Sequence, residues 1–413
     1  MDRRNVDRRT GKLAARSWAG FGLGCLVVSL VLGTVMPVAA QTVDIGGFLK
    51  SSYYYDTRQM VAAREGDHAF YPLPESIEDG QDVNETGNLL FFPFFSRMTF
   101  SIGDLPEVGG AIVSGYFEAD FFGASNAVLN SLRMRRGFVK LEWERHEAVF
   151  GMDWSPTFAG VWPRTVATEA GSPYQTFARL PQARYTFAPD GYRFHVVAAQ
   201  QRDAFSDIGG RKQQQQAELP TLMGFAELRR ERFVLGAGGW VKWIRPDLAA
   251  DRFEAFAVQG YFDWQPSGFA LRGKATWGED MADQLLTGGY VLEDDGTATP
   301  LQTFATWLDV ESTGRGVGFG VFGGYFTNLG AGTAVEFGGD AQQLFARGAD
   351  IEYGWRVSPR VVWNAEPLRF AFELPVDTAL YASSFDEELT PTSTDDDDPV
   401  TNVRADLSVF LFF

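Results

Sequence analysis

The stretch Arg404–Phe413, RADLSVFLFF, decides the fold. Its odd-numbered positions are apolar from Val403 to the last residue, whereas Arg404, Asp406 and Ser408 fall on the opposite face. A period of two is typical of a β-strand with one apolar side and one wetted side. Because the apolar side continues to Phe413, we expect that side to contact lipid.

The first forty residues have the pattern of a cleaved secretory signal peptide. Residues 1–18 are rich in basic side chains, residues 19–37 are apolar, and residues 38–40 supply the small side chains that signal peptidase requires. A single-pass membrane anchor is the alternative, and the charged start and the small-residue end argue against it. We therefore predict that residues 41–413 form the exported domain.

The charge balance and the cysteine count exclude several classes of function. Residues 1–40 hold six of the 36 basic and two of the 53 acidic residues, so residues 41–413 keep 30 and 51, a net charge of −21. Nucleic acid is therefore not expected as a partner, because phosphates require a basic surface. The single cysteine, Cys25, lies in the predicted signal peptide, which excludes zinc–thiolate sites and cysteine nucleophiles from the exported domain. We expect neither a metal nor a cofactor.

Sixteen alternating segments are predicted as strands, with no break in composition between them. They are residues 43–54, 94–103, 110–122, 131–143, 146–153, 176–188, 192–200, 218–229, 232–244, 251–265, 268–279, 302–311, 316–326, 349–364, 367–383 and 400–413. Short connections rich in Pro, Gly and charged residues alternate with mostly longer ones along the whole chain. This asymmetry is typical of outer-membrane barrels.

We therefore predict an all-β fold: a transmembrane, antiparallel, up-and-down β-barrel of about 16 strands. Residues 41–413 would form one barrel domain in the outer membrane of a Gram-negative bacterium, with short periplasmic turns and long external loops. In residues 350–364, aromatic and aliphatic residues such as Trp355 and Trp363 alternate with polar ones such as Arg356 and Arg360. Lipid outside and water inside would satisfy both faces.

A barrel of sixteen strands leaves an aqueous channel, so inward-facing charges are candidate pore-lining residues. By strand parity the basic ones are Lys50, Arg97, Arg133, Arg135, Arg184, Arg193, Lys242, Arg272, Lys274, Arg356, Arg360 and Arg369. The acidic ones are Glu118, Asp120, Asp350, Glu352 and Glu373. Since basic residues predominate, the predicted function is a porin for passive diffusion of small hydrophilic solutes, with a modest preference for anions such as carboxylates or phosphate.

The densest inward charge lies on the third and fourth strands, where Glu118 and Asp120 would face Arg133 and Arg135. One interpretation is a ladder of ion pairs that fixes the strand register. The other is a row of guanidinium groups that binds passing anions, since Arg binds carboxylate and phosphate through two parallel hydrogen bonds. The sequence leaves both open.

The connection of residues 154–175 follows the fifth strand and carries aromatic, Pro and Gly residues with little charge. It could fold into the pore as a constriction, with Arg164 as a lining residue. The alternative is an ordinary external loop.

Six segments, in order, carry a family resemblance: VDIGGFLKSSYYYD, SRMTFSIG, YFEADFFG, LRMRRGFVKLEW, FGMDWSPTF and ARLPQARYTF. Together they resemble the DcaP-like trimeric outer-membrane porins and, more loosely, the phosphate-selective porins. The resemblance implies homotrimers of sixteen-stranded barrels that take up small anions. It also implies that Arg133, Arg135, Gln182 and Arg184 line the pore.

Two further features follow from the resemblance. The tail that ends at Phe413 resembles the signature that outer-membrane proteins present to the barrel-assembly machinery. Where the family has Gly-Gln-x-Trp-Ser, this chain has Met152 in place of the amide, and Asp153 adds a negative charge near the expected constriction.

Other functions remain as alternatives. A cation-preferring or non-selective porin is one, since acidic runs in the external loops would oppose the inward arginines. An outer-membrane enzyme would need a Ser/His pair at the lipid face. His68 is predicted in a loop, His146 in a tight turn and His195 in the pore lining, so no histidine is expected on the lipid face. The acidic run of residues 393–399, STDDDDP, either binds Ca²⁺ or is a solvated loop.

Overall fold

The computed structural model describes residues 41–413 except 124, 168–169, 202–210, 315, 337 and 339–342. The predicted signal peptide, residues 1–40, lies outside the described residues. Thr42–Phe413 forms one compact unit. Among the described residues, no helix has the length and hydropathy that a membrane span requires.

Sixteen antiparallel strands close into a barrel. They are β1 (Thr42–Asp56), β2 (Asn88–Phe92 and Arg97–Gly103), β3 (Ile112–Asp120), β4 (Arg133–Glu142), β5 (His146–Trp154), β6 (Arg179–Phe187), β7 (Tyr192–Ala199), β8 (Thr221–Arg230), β9 (Phe233–Ile244), β10 (Phe253–Trp264), β11 (Phe269–Glu279), β12 (Ala298–Ser312), β13 (Val317–Asn328), β14 (Ile351–Ala365), β15 (Leu368–Glu373 and Val376–Tyr381) and β16 (Val400–Phe412). Each strand pairs with its neighbour in sequence, and β1 pairs with β16 to close the ring. The predicted up-and-down barrel of sixteen strands is confirmed.

The connections alternate in length, also as predicted. Seven short ones, from residues 104–111 to residues 366–367, lie at one end of the barrel, which we call the short-turn end. Eight connections, most of them longer, lie at the other end, the long-loop end. Three of these are used below: loop 1 (residues 57–87), loop 3 (residues 155–178) and loop 6 (residues 280–297).

The long connections carry small elements of their own. The helices are α1 (Pro156–Ala159) and α2 (Arg211–Gln216), and the 3-10 turns are Arg64–Gly66, Val83–Glu85, Asn126–Val128 and Met281–Gln284. The short paired strands are Met60–Ala63 with His68–Pro72, Ile77–Glu78 with Gln81–Asp82, Ser384–Phe385 with Pro391–Thr392, and Gly288–Leu292 with Leu344–Arg347. None of these elements interrupts the ring of sixteen strands.

The C-terminal strand has the two faces that its sequence predicts. Leu407 and Phe413 are exposed on the outer surface, whereas Arg404 and Asp406 are buried inside the barrel. An apolar outer face with charged groups inside is the arrangement of transmembrane barrels, because hydrocarbon cannot solvate charge. The aromatic rings of the tail are divided between the faces.

Phe410 and Phe412 point inward, while Phe413 points outward. Both inward rings lie about 6 Å from the ring of Phe48 on β1, with centroid distances of 5.9 and 6.0 Å. The tail therefore contributes aromatic surface to the interior of the short-turn end as well as to the outer face.

Loops 1, 3 and 6 fold into the barrel from the long-loop end and fill much of its interior there. They contribute buried side chains such as Phe70, Phe158 and Leu285 to a common apolar core. The wall contributes inward-facing rings to the same core, among them Trp240, Tyr261, Trp307, Phe322 and Phe326. This half of the barrel is therefore filled by side chains, whereas strand number alone predicts an aqueous channel.

Glycine makes one of these contacts possible. A Cβ atom at Gly324 on β13 would lie 2.5 Å from the Cγ atom of Tyr174 in loop 3. Only a residue without a side chain allows the loop to pack directly on the strand at this point.

Candidate functional site

A cavity of about 990 Å³ lies inside the barrel between loop 3 and the short-turn end. Nine basic side chains border it: Lys50, Arg97, Arg135, Arg136, Arg164, Arg184, Arg272, Arg360 and Arg369. Three acidic side chains border it: Glu118, Asp153 and Glu311. Other acidic groups, such as Asp120 and Asp309, are fully buried in the wall behind the arginines. The surface that faces the cavity is therefore predominantly positive.

Ten of the residues predicted as pore-lining border this cavity. They are Lys50, Arg97, Glu118, Arg135, Asp153, Arg164, Arg184, Arg272, Arg360 and Arg369. They come from β1 to β6, from loop 3 and from β11, β14 and β15, so only the closed barrel brings them together.

The charges on β3 and β4 form a ladder of ion pairs. Arg135 donates from Nε to Glu118 at 2.6 Å and from Nη1 to Asp120 at 2.7 Å. Arg133 donates from Nε to the other oxygen of Asp120 at 2.8 Å. Arg135 is 2% exposed, so carboxylates of the wall compensate most of its charge. The structure thus favours the structural interpretation for Arg135.

A β-bulge adds Arg136 to the inward face. The pairing of β3 with β4 shifts between Glu118 and Ala119, and both Arg135 and Arg136 then reach carboxylates inside the barrel. Strict alternation had placed Arg136 on the lipid side, so the sequence prediction missed it. A charge on the lipid face costs about 2–4 kcal/mol at the bilayer midplane, and the adjacent arginines were a usable signal for a bulge.

Asp153 lies at the cavity, as expected, but its charge is paired. Arg136 donates from Nε to its Oδ1 at 2.7 Å, and Arg184 donates from Nη2 to its Oδ2 at 3.0 Å. Two guanidinium groups thus share one carboxylate. The negative charge that departs from the family pattern is compensated here.

Loop 3 is held inside the barrel by hydrogen bonds from several strands. The Nζ of Lys274 and the Nε2 of Gln259 donate to the carbonyl of Thr157 at 2.6 and 3.0 Å. On the opposite wall, the Nζ of Lys50 donates to the carbonyl of Val166 at 3.1 Å. Of the two interpretations of residues 154–175, the inward-folded loop is therefore the one observed.

Glu373 on β15 holds the middle of loop 3 through charge-assisted hydrogen bonds. Its Oε2 accepts from the backbone N–H groups of Val166 and Ala167 at 2.6 and 2.8 Å. Bonds of this kind contribute about 1.5–3 kcal/mol each.

We expect Glu373→Ala to loosen loop 3 and to give a larger and noisier single-channel conductance in planar bilayers. Glu254→Ala serves as the control, because Glu254 is an exposed carboxylate on β10 that accepts a hydrogen bond from Trp243, away from loop 3. A conductance trace of Glu373→Ala that matches the Glu254→Ala trace would contradict this role of the loop anchor.

Arg164 in loop 3 is exposed, and its position is fixed by its backbone. Its N–H donates to Asp309 on β12 at 3.1 Å. Its guanidinium carbon lies 4.6 Å from the ring centroid of Trp162. Among the described residues, no carboxylate lies within ion-pair distance of this guanidinium.

Eleven other predicted pore residues do not border this cavity, and six of them illustrate why. Asp120 and Arg133 pair with each other, and Lys242 pairs with Asp280 and Asp283 of loop 6. Gln182 donates to the carbonyl of Asp153, Lys274 to that of Thr157, and His195 contacts Thr186 and Glu227. Except for Arg133 and His195, these side chains are nearly fully buried, because the inward-folded loops cover them or the wall pairs them.

The expectation that no histidine lies on the lipid face is wrong. His146 begins β5 and stacks on Tyr185 and Phe187 of β6, with ring centroids at 5.7 and 5.1 Å. These two rings are exposed and alternate with the inward Arg184 and Thr186, so His146 lies on the outer face near the short-turn end. A tight turn of residues 143–145 leaves it as the first residue of the strand.

The acidic external run has a local structural role. The backbone N–H of Thr394 and the hydroxyl of Ser383 bind Asp397, which holds the pKa of that carboxyl below its ordinary value. Asp386 is bound in the same way by the N–H groups of Thr390 and Glu388. In the described part of the chain, no group of three His, Cys, Asp or Glu side chains is placed to hold a metal ion.

The closed sixteen-stranded barrel, its apolar outer face and its inward-folded loop 3 together define the porin fold. No model of a known protein family matches the sequence, and no curated protein matches it either. Solved structures do match, which places the fold among outer-membrane channels.

The outer membrane channel DcaP of Acinetobacter baumannii superimposes with a TM-score of 0.68 and 16% identity, over 90% of this chain and 97% of that one. An anion-selective porin from Comamonas acidovorans gives 0.56 and 11%, over 90% and 100%. OmpT, an outer membrane protein of Vibrio cholerae, gives 0.54 and 11%, over 91% and 98%. At these identities the likeness shows the fold, and the resemblance to DcaP-like porins read from the sequence agrees with it.

Proposed function

We propose that the protein is a passive channel of the bacterial outer membrane that carries small hydrophilic solutes with a preference for anions. The observation that carries the proposal is the lining of the 990 Å³ cavity, which nine basic and only three acidic side chains border. A cavity wall of one sign raises the local concentration of ions of the opposite sign. The name of one similar structure, an anion-selective porin, supports the same direction.

The positive lining is opposed by the acidic loops outside. Exposed charges in those loops are screened within about 10 Å at 0.1 M salt, whereas ions inside the cavity pass within a few ångströms of the arginines. We therefore expect the cavity to determine selectivity at ordinary ionic strength.

The test is the zero-current potential of the purified protein in a planar bilayer under a KCl gradient. A potential that favours chloride supports the proposal. A potential that favours potassium would leave a channel but overturn the anion preference, and would make the acidic loops the selective elements.

We also propose a homotrimer and recognition by the barrel-assembly machinery through Phe413. A trimer form is known for the Vibrio cholerae OmpT structure, which matches with a TM-score of 0.50. Phe413 exposes its ring on the outer face while its N–H donates to the carbonyl of Gly47 at 3.2 Å. Conductance steps in multiples of three would support the trimer, and single steps of one size would contradict it.

An enzyme is the alternative from another class, and it would have to use His146 on the outer face or His195 inside the barrel. His146 Nδ1 is bound to the hydroxyl of Tyr185, and its ring stacks on Phe187. Thr186 Oγ1 lies 2.9 Å from His195 Nδ1, and Glu227 lies 3.8 Å from His195 Nε2. Thr186 is 3% exposed, and Glu227 also accepts from Tyr261 and Arg229. A buried hydroxyl cannot reach a substrate, so we favour the channel.

A further inference from the structure

Three aromatic rings of β5 and loop 3 form a stack that ends on an exposed arginine. The rings of Trp154 and Phe158 are 4.1 Å apart at an interplanar angle of 23°. The rings of Phe158 and Trp162 are 5.9 Å apart at 14°. The guanidinium of Arg164 continues the series, 4.6 Å from the centroid of Trp162. All four side chains border the cavity.

Arg164 differs from most of the other arginines that border the cavity. Arg136 and Arg184 share Asp153, and Arg360 pairs with Asp309 and Glu311. Arg164 has no such carboxylate among the described residues, and it is exposed. Arg369 also lacks an ion pair in the described part of the chain, but it is only half-exposed and donates to the amide oxygen of Asn364. Because Asp309 fixes its backbone and Trp162 supports its planar group, the donors of the guanidinium are held in place toward water.

We propose that this stack, from Trp154 to Arg164, binds planar aromatic anions, specifically aromatic carboxylates, as they pass through the cavity. The inference rests on the proposed anion-preferring channel and names one substrate class for it. The planar fork of arginine matches a carboxylate through two hydrogen bonds, and its flat face also stacks on aromatic rings. A solute with both groups can therefore use both properties of the site.

The stack also explains why an aromatic anion would be preferred to an aliphatic one of equal charge. Offset ring stacking and cation–π contacts each add attraction beyond the burial of area. Benzoate and cyclohexanecarboxylate carry the same charge and have the same number of ring carbons, but only benzoate has a flat π-face. The difference between them isolates the contribution of the stack.

The experiment measures, in planar bilayers with the complete mature protein, the concentration of each acid that halves the chloride current. We expect half-block by benzoate at a concentration about three- to tenfold lower than by cyclohexanecarboxylate. Trp162→Leu is expected to bring this ratio close to one, and Arg164→Lys to reduce it, because lysine keeps the charge but has no plane. Trp264→Leu is the matched control, since Trp264 is exposed on the outer face of β10.

Each outcome decides between the two proposals. Equal half-block by the two acids, together with a chloride-favouring zero-current potential, overturns the stack and leaves the anion-preferring channel. A potassium-favouring potential overturns the proposed function itself. A benzoate preference that survives both Trp162→Leu and Arg164→Lys assigns the binding to another site and also overturns the stack. If no current is seen, calorimetric titration of the folded barrel with the two acids gives the same ratio.

Discussion

Replacing Arg135 by methionine will destabilise the barrel by about 3 kcal/mol, the low end of the cost of removing one partner from a buried ion pair, because Arg133 still binds Asp120 and Arg97 stays 3.5 Å from Glu118. Arg135 is the central group of the β3–β4 ladder and binds Glu118 and Asp120 at once. Both carboxylates are buried, and methionine fills the space of the arginine stem without neutralising them. The measurement is urea-induced unfolding of the refolded barrel in lipid vesicles.

Arg133→Met is the matched control for this prediction. Arg133 binds Asp120 from the other side, but its side chain is 16% exposed and Asp120 keeps Arg135 as a partner. We therefore expect a loss well below that of Arg135→Met. Equal losses in the two variants would mean that the ladder does not depend on its buried member.

Arg164→Glu will shift the channel strongly toward cations. A unit charge 4 Å from a passing ion contributes about 1 kcal/mol even at the dielectric constant of water, and the substitution changes the charge by two units. The ratio of chloride to potassium permeability should therefore fall about tenfold or more. Because no described carboxylate pairs with Arg164, the change leaves no buried group without a partner.

Arg232→Glu makes the same change of charge at the short-turn end. Arg232 is exposed in the turn between β8 and β9, away from the lining of the cavity. We expect only a small shift of the zero-current potential, which high salt removes. A shift as large as that of Arg164→Glu would show that net charge, rather than the position of Arg164, sets selectivity.

The order of strands and the direction of their faces could be predicted because both depend on local pattern. The alternation in Arg404–Phe413 recurs in the structure as exposed Leu407 and buried Asp406, since a pleated strand sends neighbouring side chains to opposite sides. The alternation of short and long connections predicted an antiparallel barrel for a similar reason. In such a barrel successive strands run in opposite directions, so every second connection lies at the same end.

Parity failed where the pairing is irregular. Arg136 faces inward because a bulge inserts a residue in β4, and one extra residue reverses the face of every side chain on one side of it. Phe410 and Phe412 are not such a case, because the pairing of β16 is regular and their inward rings follow the alternation of Arg404, Asp406 and Ser408.

The sequence by itself therefore determined the sixteen strands, the apolar outer face and the excess of inward arginines, because hydrophobic period and charge are properties of each strand alone. Only the tertiary structure decided which basic side chains are paired or covered and which remain available to a solute. Arg135 is neutralised by carboxylates of β3, Lys274 is covered by loop 3, and Arg164 stays exposed beside Trp162. These differences depend on where loops 1, 3 and 6 fold, and that position is set by contacts between residues more than a hundred positions apart.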